Sequence, residues 1–354
     1  MFHVSGRLLI VIAAGAFLSW LVTACVKGLA PRMGLLDRPN ERSSHSTVTP
    51  RAGGLGFVLV WMFGCLAFLG LDNGHQLNHL SFGTYMATAL AVSGISLRDD
   101  ISSVSPLKRF AVHLGAGLVI VTTCGPFQVI DLGWSLSLGH FGGVITILWI
   151  VGLTNAFNFM DGIDGIAGLQ AVVAAFAWCL AGAIVGSPFI SGISGVLAGA
   201  GIGFLVHNWS PARIFMGDVG SAFLGFHFAI ISLFLRSDLN EDVIWSLRLP
   251  LFAMAVVWPF VWDSGFTFLR RLVRREKVWE PHRSHLYQRM VQAGWRHAWV
   301  ASYYGGWATA CSLAAIHYLR FGALLYVCAV AGLYAGATVL LVMRLETNLL
   351  KLSK

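Results

Sequence analysis

Five aspartates carry most of the chemistry this chain could do, and all five sit at the ends of long apolar runs. They are Asp99 and Asp100 in RDD, Asp161 and Asp164 in NAFNFMDGIDG, and Asp218 in FMGD. Carboxylates at a membrane boundary are costly unless they meet cations or water, so each asks for a partner. The adjacent acids Asp99 and Asp100 repel one another. They suit a Mg²⁺ ligand set or a general base beside one, or else a solvated loop in which they pair with Arg98 and Lys108. Between Asn155 and Gly168 lie Asn155, Asn158, Asp161 and Asp164, interleaved with glycines and with no Lys or Arg. The spacing places Asn158, Asp161 and Asp164 near one face if the turn is helical, and the glycines let backbone approach a ligand. Two carboxylates without a local counter-charge imply a bound cation or a cationic partner from elsewhere; the structural alternative is a polar packing knot between helices.

Asp218 opens an apolar run and could simply cap it, since Asp is favoured at a helix N-terminus. Gly217 and Gly220 on either side suggest close backbone approach, and Phe215 offers a stacking face for a base. In PHRSHLYQR, His282, Arg283 and His285 can neutralise a diphosphate and bind its oxygens; the alternative is a basic loop resting on anionic lipid. In DRPNERSSHSTVTPRAGGLG, His45, Arg51 and the Gly53-Gly54 turn could touch phosphate. Oxygen ligands without a Cys/His pattern favour Mg²⁺, or Mn²⁺, over zinc. Asp263, between Trp262 and Ser264, carries no assigned chemistry; an arginine at the nearby boundary is its expected partner.

These residues have to be positioned by membrane helices. The chain has 354 residues, 56% hydrophobic and only 11% charged, with a mean hydropathy of +0.73. Such a composition implies an all-α, polytopic integral membrane protein. Runs near 20 apolar residues predict about 11 transmembrane helices, over 8–29, 53–71, 81–96, 108–124, 143–158, 165–185, 191–207, 219–235, 247–270, 297–318 and 322–343. If the loop 30–52 is cytoplasmic, 20 of the 24 basic residues fall on that side. That predicts a periplasmic N-terminus and a cytoplasmic C-terminus. The net charge of +8 then reflects topology and anionic headgroups, not a nucleic-acid partner. Leu21–Cys25 resembles a lipoprotein-type cleavage site, but cleavage would export the Arg-rich loop 30–52, against the charge bias. The six cysteines lack Cys-x-x-Cys spacing and read as small core residues. Gly195, Gly199 and Gly203 form a small-residue stripe for close helix packing. No linker or repeat divides residues 1–354, so a single domain is expected, with 271–296 as a cytoplasmic recognition loop and function facing the cytoplasm.

The ordered set DRPNERSSH, PRAGGLGF, RDD, NAFNFMDGIDGIAG, FMGDVGSAFLGF and PHRSHLYQR resembles the polyprenyl-phosphate N-acetylhexosamine-1-phosphate transferases (glycosyltransferase family 4), from Asp37 to about Gly294. The resemblance implies transfer of a HexNAc-1-phosphate from a UDP-sugar to undecaprenyl phosphate at the bacterial inner membrane, with release of UMP. By the same resemblance Asp218 is the principal Mg²⁺ ligand and Asp99 the base or a charge-positioning group, with Asp100 beside it. Asn158 and Asp161 hold the metal-diphosphate geometry, with Asn155 beside them, and Asp164 and Phe215 contact the uracil. His282, Arg283 and His285 hold diphosphate or sugar, with His45 and Arg51 assisting. The MurNAc branch carries consecutive histidines where this chain has His-Arg-Ser-His, which points to the GlcNAc, FucNAc or QuiNAc branch and to lipopolysaccharide O-antigen or surface-glycan initiation. Membrane lipid, a homodimer mate and downstream glycosyltransferases are the remaining expected partners. The rival readings are a transporter with an inner-face cation site and a lipid-diphosphate phosphatase.

Overall fold

The computed structural model describes residues 6–39, 47–71, 79–238, 243–278, 280 and 282–352. Their frame is a bundle of helices: α1 (Gly6–Leu29), α2 (Leu55–Leu71), α3 (His79–Ile101), α4 (Pro106–Cys124), α5 (Gly142–Met160), α6 (Ile166–Val185), α7 (Pro188–Asn208), α8 (Asp218–Asp238), α9 (Val243–Val256), α10 (Trp258–Val273), α11 (Leu286–Gln292), α12 (His297–Phe321) and α13 (Leu324–Leu352). Among the described residues, eight helices are long and apolar enough to cross a membrane, or nine if α9 and α10 are one span; α2 is apolar but shorter. The chain is therefore a multi-pass membrane protein. Each of the eleven expected segments falls on a helix, the ninth on two. α9 and α10 meet at 71°, where Pro259 has no N–H to give to the preceding turn. The loops add two small antiparallel ribbons that helical periodicity did not predict: β1 (Leu36–Asp37) with β2 (Thr49–Pro50), and β3 (Val129–Asp131) with β4 (Ser135–Ser137).

Burial orders the bundle. α8 lies at the centre, with 94% of its apolar window inside the protein, whereas α1 and α13 have 17% and form the periphery. The glycine stripe has the structural role expected of it. A Cβ on Gly199 or Gly203 would overlap the carbonyls of Ile12 or Ala16, so α7 and α1 approach backbone to backbone. Four cysteines are buried and unbonded; Cys25 and Cys328 are exposed on the peripheral helices. The depth of α8 is fixed by a buried polar chain in which Trp61 Nε1 donates to Tyr85 Oη at 3.1 Å, and Tyr85 Oη meets His227 Nδ1 at 2.6 Å.

The loop between α1 and α2 is tied to the start of α8. Phe215 N donates to Pro50 O (2.8 Å), Gly53 N to Phe215 O (2.9 Å) and Gly54 N to Met216 O (2.8 Å). Gly54 and Gly220 then touch through bare backbone, where a Cβ on either would overlap the other. The Gly53-Gly54 turn, expected near phosphate, is thus a seat for protein backbone. His45 lies outside the described residues.

Candidate active site

The ends of α3, α4, α5 and α8 bring the acidic motifs together. Asp100 is buried, at 3% exposure. Its Oδ1 accepts from Asp218 N at 3.0 Å and its Oδ2 from Val219 N at 2.9 Å. α8 is therefore capped by a carboxylate from a neighbouring helix, not by its own first residue, and Asp218 is released from that task. Gly217, at φ +74°, makes the close approach feasible, since a Cβ there would stand 2.8 Å from Asp100 Oδ2. The Arg51 guanidinium donates to the Asp100 carbonyl and so braces the acid pair. Each Asp100 oxygen thus accepts one backbone N–H, and one Arg51 N–H goes to the Asp100 main chain.

Asp99 and Asp218 converge on one cation. Arg109 Nη1 lies 2.7 Å from Asp99 Oδ2 and 2.7 Å from Asp218 Oδ2, and Asp99 Oδ1 accepts from Val104 N at 2.5 Å. The loop alternative named Arg98 and Lys108 as the acids' partners; the structure uses Arg109, placed by the first turn of α4. Asn158 donates to Ser221 Oγ at 3.1 Å and hydrogen-bonds the Asp218 carboxylate. Asp161 ends α5 with no hydrogen-bond or ion-pair partner among the described residues. Burial, then the carboxylates of Asp218, Asp100 and Asp164, push its pKa well above the usual range. Four carboxylates face two guanidinium groups here, Arg109 directly and Arg51 through the Asp100 main chain, so the cluster carries excess negative charge that a cation would relieve.

The glycine-rich turn after Asp161 is shaped by its neighbours. A Cβ on Gly162 would overlap the Tyr287 hydroxyl, which donates to Phe159 O at 3.0 Å. Gly165, at φ +77°, donates its N–H to Asn208 Oδ1 at 3.0 Å. Asp164 Oδ2 meets His297 Nδ1 at 3.3 Å and accepts from Ala212 N at 3.2 Å. Burial alone would raise the Asp164 pKa; His297, the Ala212 N–H and Ser210 outweigh it and hold it low. Asp164 therefore ties the 210–212 turn to α12. Phe215 is half-buried, its backbone held between Pro50 and Gly53.

The loop between α10 and α11 is anchored by Asp263, fully buried in α10. Its Oδ1 accepts from Leu286 N (2.8 Å) and Thr267 Oγ1 (3.2 Å) and meets His285 Nδ1 at 3.1 Å; its Oδ2 accepts from Tyr287 N (3.1 Å) and Tyr304 Oη (2.6 Å). The expected arginine partner is replaced by His285 and the start of α11, while Arg270 and Arg271 donate to the Ser284 and Lys277 carbonyls. Ser284 Oγ lies 3.0 Å from His282 Nδ1, and the two histidine rings stand 5.0 Å apart. Burial, then His285, Arg271 and Arg270, lower the His282 pKa to about 4, leaving the ring neutral near pH 7. Arg283 is half-buried between them in sequence.

A cavity of about 450 Å³ joins the two regions, lined by Arg109, Asn155, Asn158, Asp218, His282 and His285 among others; this size suits a small-molecule site. Asp164, Phe215 and Arg283 are not among its described lining residues. No three His, Cys, Asp or Glu side chains among the described residues converge closely enough to hold a metal by themselves. The donor set instead fits Mg²⁺, which is commonly held by one or two carboxylates, substrate phosphates and water: oxygen donors only, with Asp161 unpaired beside Asp218. Arg109 and Asp263 are what sequence reasoning missed. The signal for Arg109 was the excess of acids; for Asp263, it was a lone carboxylate inside an apolar run.

Comparison with known proteins points to one family. The family model described as Glycosyl transferase family 4 matches residues 82–236. The chain is 31% identical over 281 residues to a probable undecaprenyl-phosphate N-acetylglucosaminyl 1-phosphate transferase of Bacillus subtilis, covering 78% of this chain and 75% of the relative. It is 30% identical over 317 residues to the decaprenyl-phosphate N-acetylglucosaminephosphotransferase of Mycobacterium tuberculosis, covering 80% and 75%. It is also similar to a phospho-N-acetylmuramoyl-pentapeptide-transferase of Streptococcus thermophilus, 33% identical over 204 residues, covering 54% and 60%.

Proposed function

The chain belongs to glycosyl transferase family 4, an enzyme of the sugar-phosphate-transferase kind, and on that premise we propose that it moves a HexNAc-1-phosphate from a UDP-sugar to undecaprenyl phosphate, releasing UMP. The observation that carries this reading is the cavity joining the Asp99–Arg109–Asp218 cluster to His282 and His285 at the inner helix ends. A diphosphate donor and a phosphate acceptor need a site where cationic and hydrogen-bonding groups meet a cation-seeking acidic cluster.

In the proposed reaction an oxygen of the lipid phosphate bonds to the β-phosphorus of the nucleotide sugar. The bond from that phosphorus to the α,β-bridging oxygen breaks, and UMP leaves with the oxygen. A phosphate dianion needs little activation near neutral pH, its second pKa being about 6, so direct displacement is favoured over a phospho-aspartate. Asp218 and Asp161 would hold Mg²⁺, which when bound neutralises charge on the diphosphate and the departing UMP. Asn158 orients Asp218, Asp99 fixes Arg109, and His282 and His285 bind the donor from the loop side. Arg283, and less directly Asp164 and Phe215, border the nucleotide.

The charge bias supports a site facing the cytoplasm in the bacterial inner membrane, with eleven spans, the N-terminus outside and the C-terminus inside. GlcNAc appears in the names of two relatives. The His-Arg-Ser-His loop keeps FucNAc and QuiNAc as further donors, with surface-glycan or O-antigen initiation as the pathway. The transporter reading gains no support from relatives that are transferases.

The test is UMP release by the purified protein with undecaprenyl phosphate, Mg²⁺ and a panel of UDP-GlcNAc, UDP-FucNAc, UDP-QuiNAc and UDP-GalNAc. Acceptor-dependent UMP, abolished by EDTA, is expected with one of them. No UMP from any donor in either Mg²⁺ or Mn²⁺ would overturn the proposal.

A further inference from the structure

The cavity continues below the charged cluster, deeper along the helices. On α4, Pro106, Arg109, Phe110 and His113 all line it, a spacing that keeps them on one helical face. His113 stands one turn, about 5 Å, beyond Arg109. Ser96 on α3, Asn155 on α5 and Ala222 on α8 line the same level, each three or four residues from Asp99, Asn158 or Asp218. This forms a second, uncharged polar layer beneath the first, with Ala222 leaving room.

His113 is the unusual member. It is 5% exposed, and both ring nitrogens are buried without a hydrogen-bond partner among the described residues. A buried polar group left unpaired asks for an explanation, and a ring lining a cavity can find one in a ligand. Neutral imidazole offers one N–H donor in either tautomer. Asn155 gives one N–H to Val151 O at 2.7 Å and has a second. The layer therefore presents donors without added negative charge, which suits an anionic oxygen ligand.

The approach to this layer is apolar. Phe110 and Phe159 line the cavity and are 47% and 55% exposed. A ligand reaching His113 past these rings comes from lipid, whereas one reaching His282 and His285 comes from the loop side.

We infer that His113, with Asn155, forms the subsite for the acceptor phosphate, the ring N–H donating to a non-reacting oxygen of a phosphate carried on an isoprenoid chain. This rests on the transferase reading above. It divides the cavity into a lipid-phosphate end at His113 and a nucleotide end at His282.

The test compares the parent with His113→Leu, His113→Met and His113→Gln, measuring KM for each substrate and equilibrium binding of farnesyl phosphate by tryptophan fluorescence. With either apolar variant, acceptor KM and farnesyl phosphate Kd rise about tenfold, the loss of one phosphate hydrogen bond, while donor KM holds. His113→Gln, which restores an N–H, stays within about threefold of the parent. Two apolar variants are used so that a folding failure in one does not decide the matter. If the parent turns over and the apolar variants keep its acceptor KM, or shift donor KM instead, the subsite is wrong and the transferase stands. If the parent neither turns over nor binds farnesyl phosphate, both readings fall.

Discussion

The acidic cluster where α3 ends and α8 begins and the aspartate under the α10–α11 loop use one side chain for opposite purposes. Asp263 and Asp100 are the most buried of these acids, and both have their two oxygens occupied by backbone N–H groups of an adjoining helix start. They hold a helix or a loop in place. Asp218 faces Arg109 through a partly exposed ion pair, and Asp161 has no hydrogen-bond or ion-pair partner among the described residues. Burial alone would rank Asp263 as the most provocative residue in the chain. Counting backbone donors reverses that ranking: a carboxylate satisfied by main chain is scaffold, and one left to side chains or to nothing is available for chemistry.

Substitution can break or sharpen this contrast. The largest effect should come from Asp218→Asn. UMP formation falls by at least about 10³-fold, the scale of losing a principal electrostatic group, with the melting temperature near that of the parent because Asp100 still caps α8. Substantial activity in Mg²⁺ would remove Asp218 from the chemistry and blur the contrast.

Asp263→Ala should do the reverse. Removing one partner of a buried charged network costs about 3 kcal/mol, read as a lower thermal midpoint in detergent. Turnover drops mainly through a higher donor KM as His282 and His285 lose their seat. Lost turnover at an unchanged midpoint would mean that Asp263 acts chemically. The smallest effect belongs to Arg283→Ala, a loss of about tenfold in kcat/KM for the nucleotide sugar with membrane insertion intact. Kinetics equal to the parent would return Arg283 to the loop's solvated surface.

The helices were legible because an apolar run of about 20 residues has few other uses, and the acidic motifs because their charges stand out against it. What could not be read was partnership. Nothing in the spacing of RDD and FMGD says that Asp100 reaches two N–H groups more than a hundred residues away, or that Arg109 rather than Lys108 or Arg98 takes the acids. Those pairings depend on which face of α3 and α4 turns inward, a property of the assembled bundle. Asp263 stayed without a role for the same reason: two of its partners are backbone N–H groups, which carry no sequence signature, and Tyr304 and His285 reach it from other helices and loops. The break at Pro259 had a local cause, but its 71° angle did not.

The bare contact between Gly54 and Gly220 also bears on the order of assembly. A chain is made and inserted from its N-terminus, and six helices, α2 to α7, separate the two glycines. During that interval α2 holds an unfilled backbone notch, and Asp100 has neither of the N–H groups it will cap. The arrival of α8 fills the notch, caps the helix and aligns Asp218 with Arg109 in one event. The acidic cluster is therefore completed late in biogenesis: a nascent chain ending before α8 already holds Asp99, Arg109, Asn158 and Asp161 but lacks Asp218 and the two N–H groups that Asp100 caps.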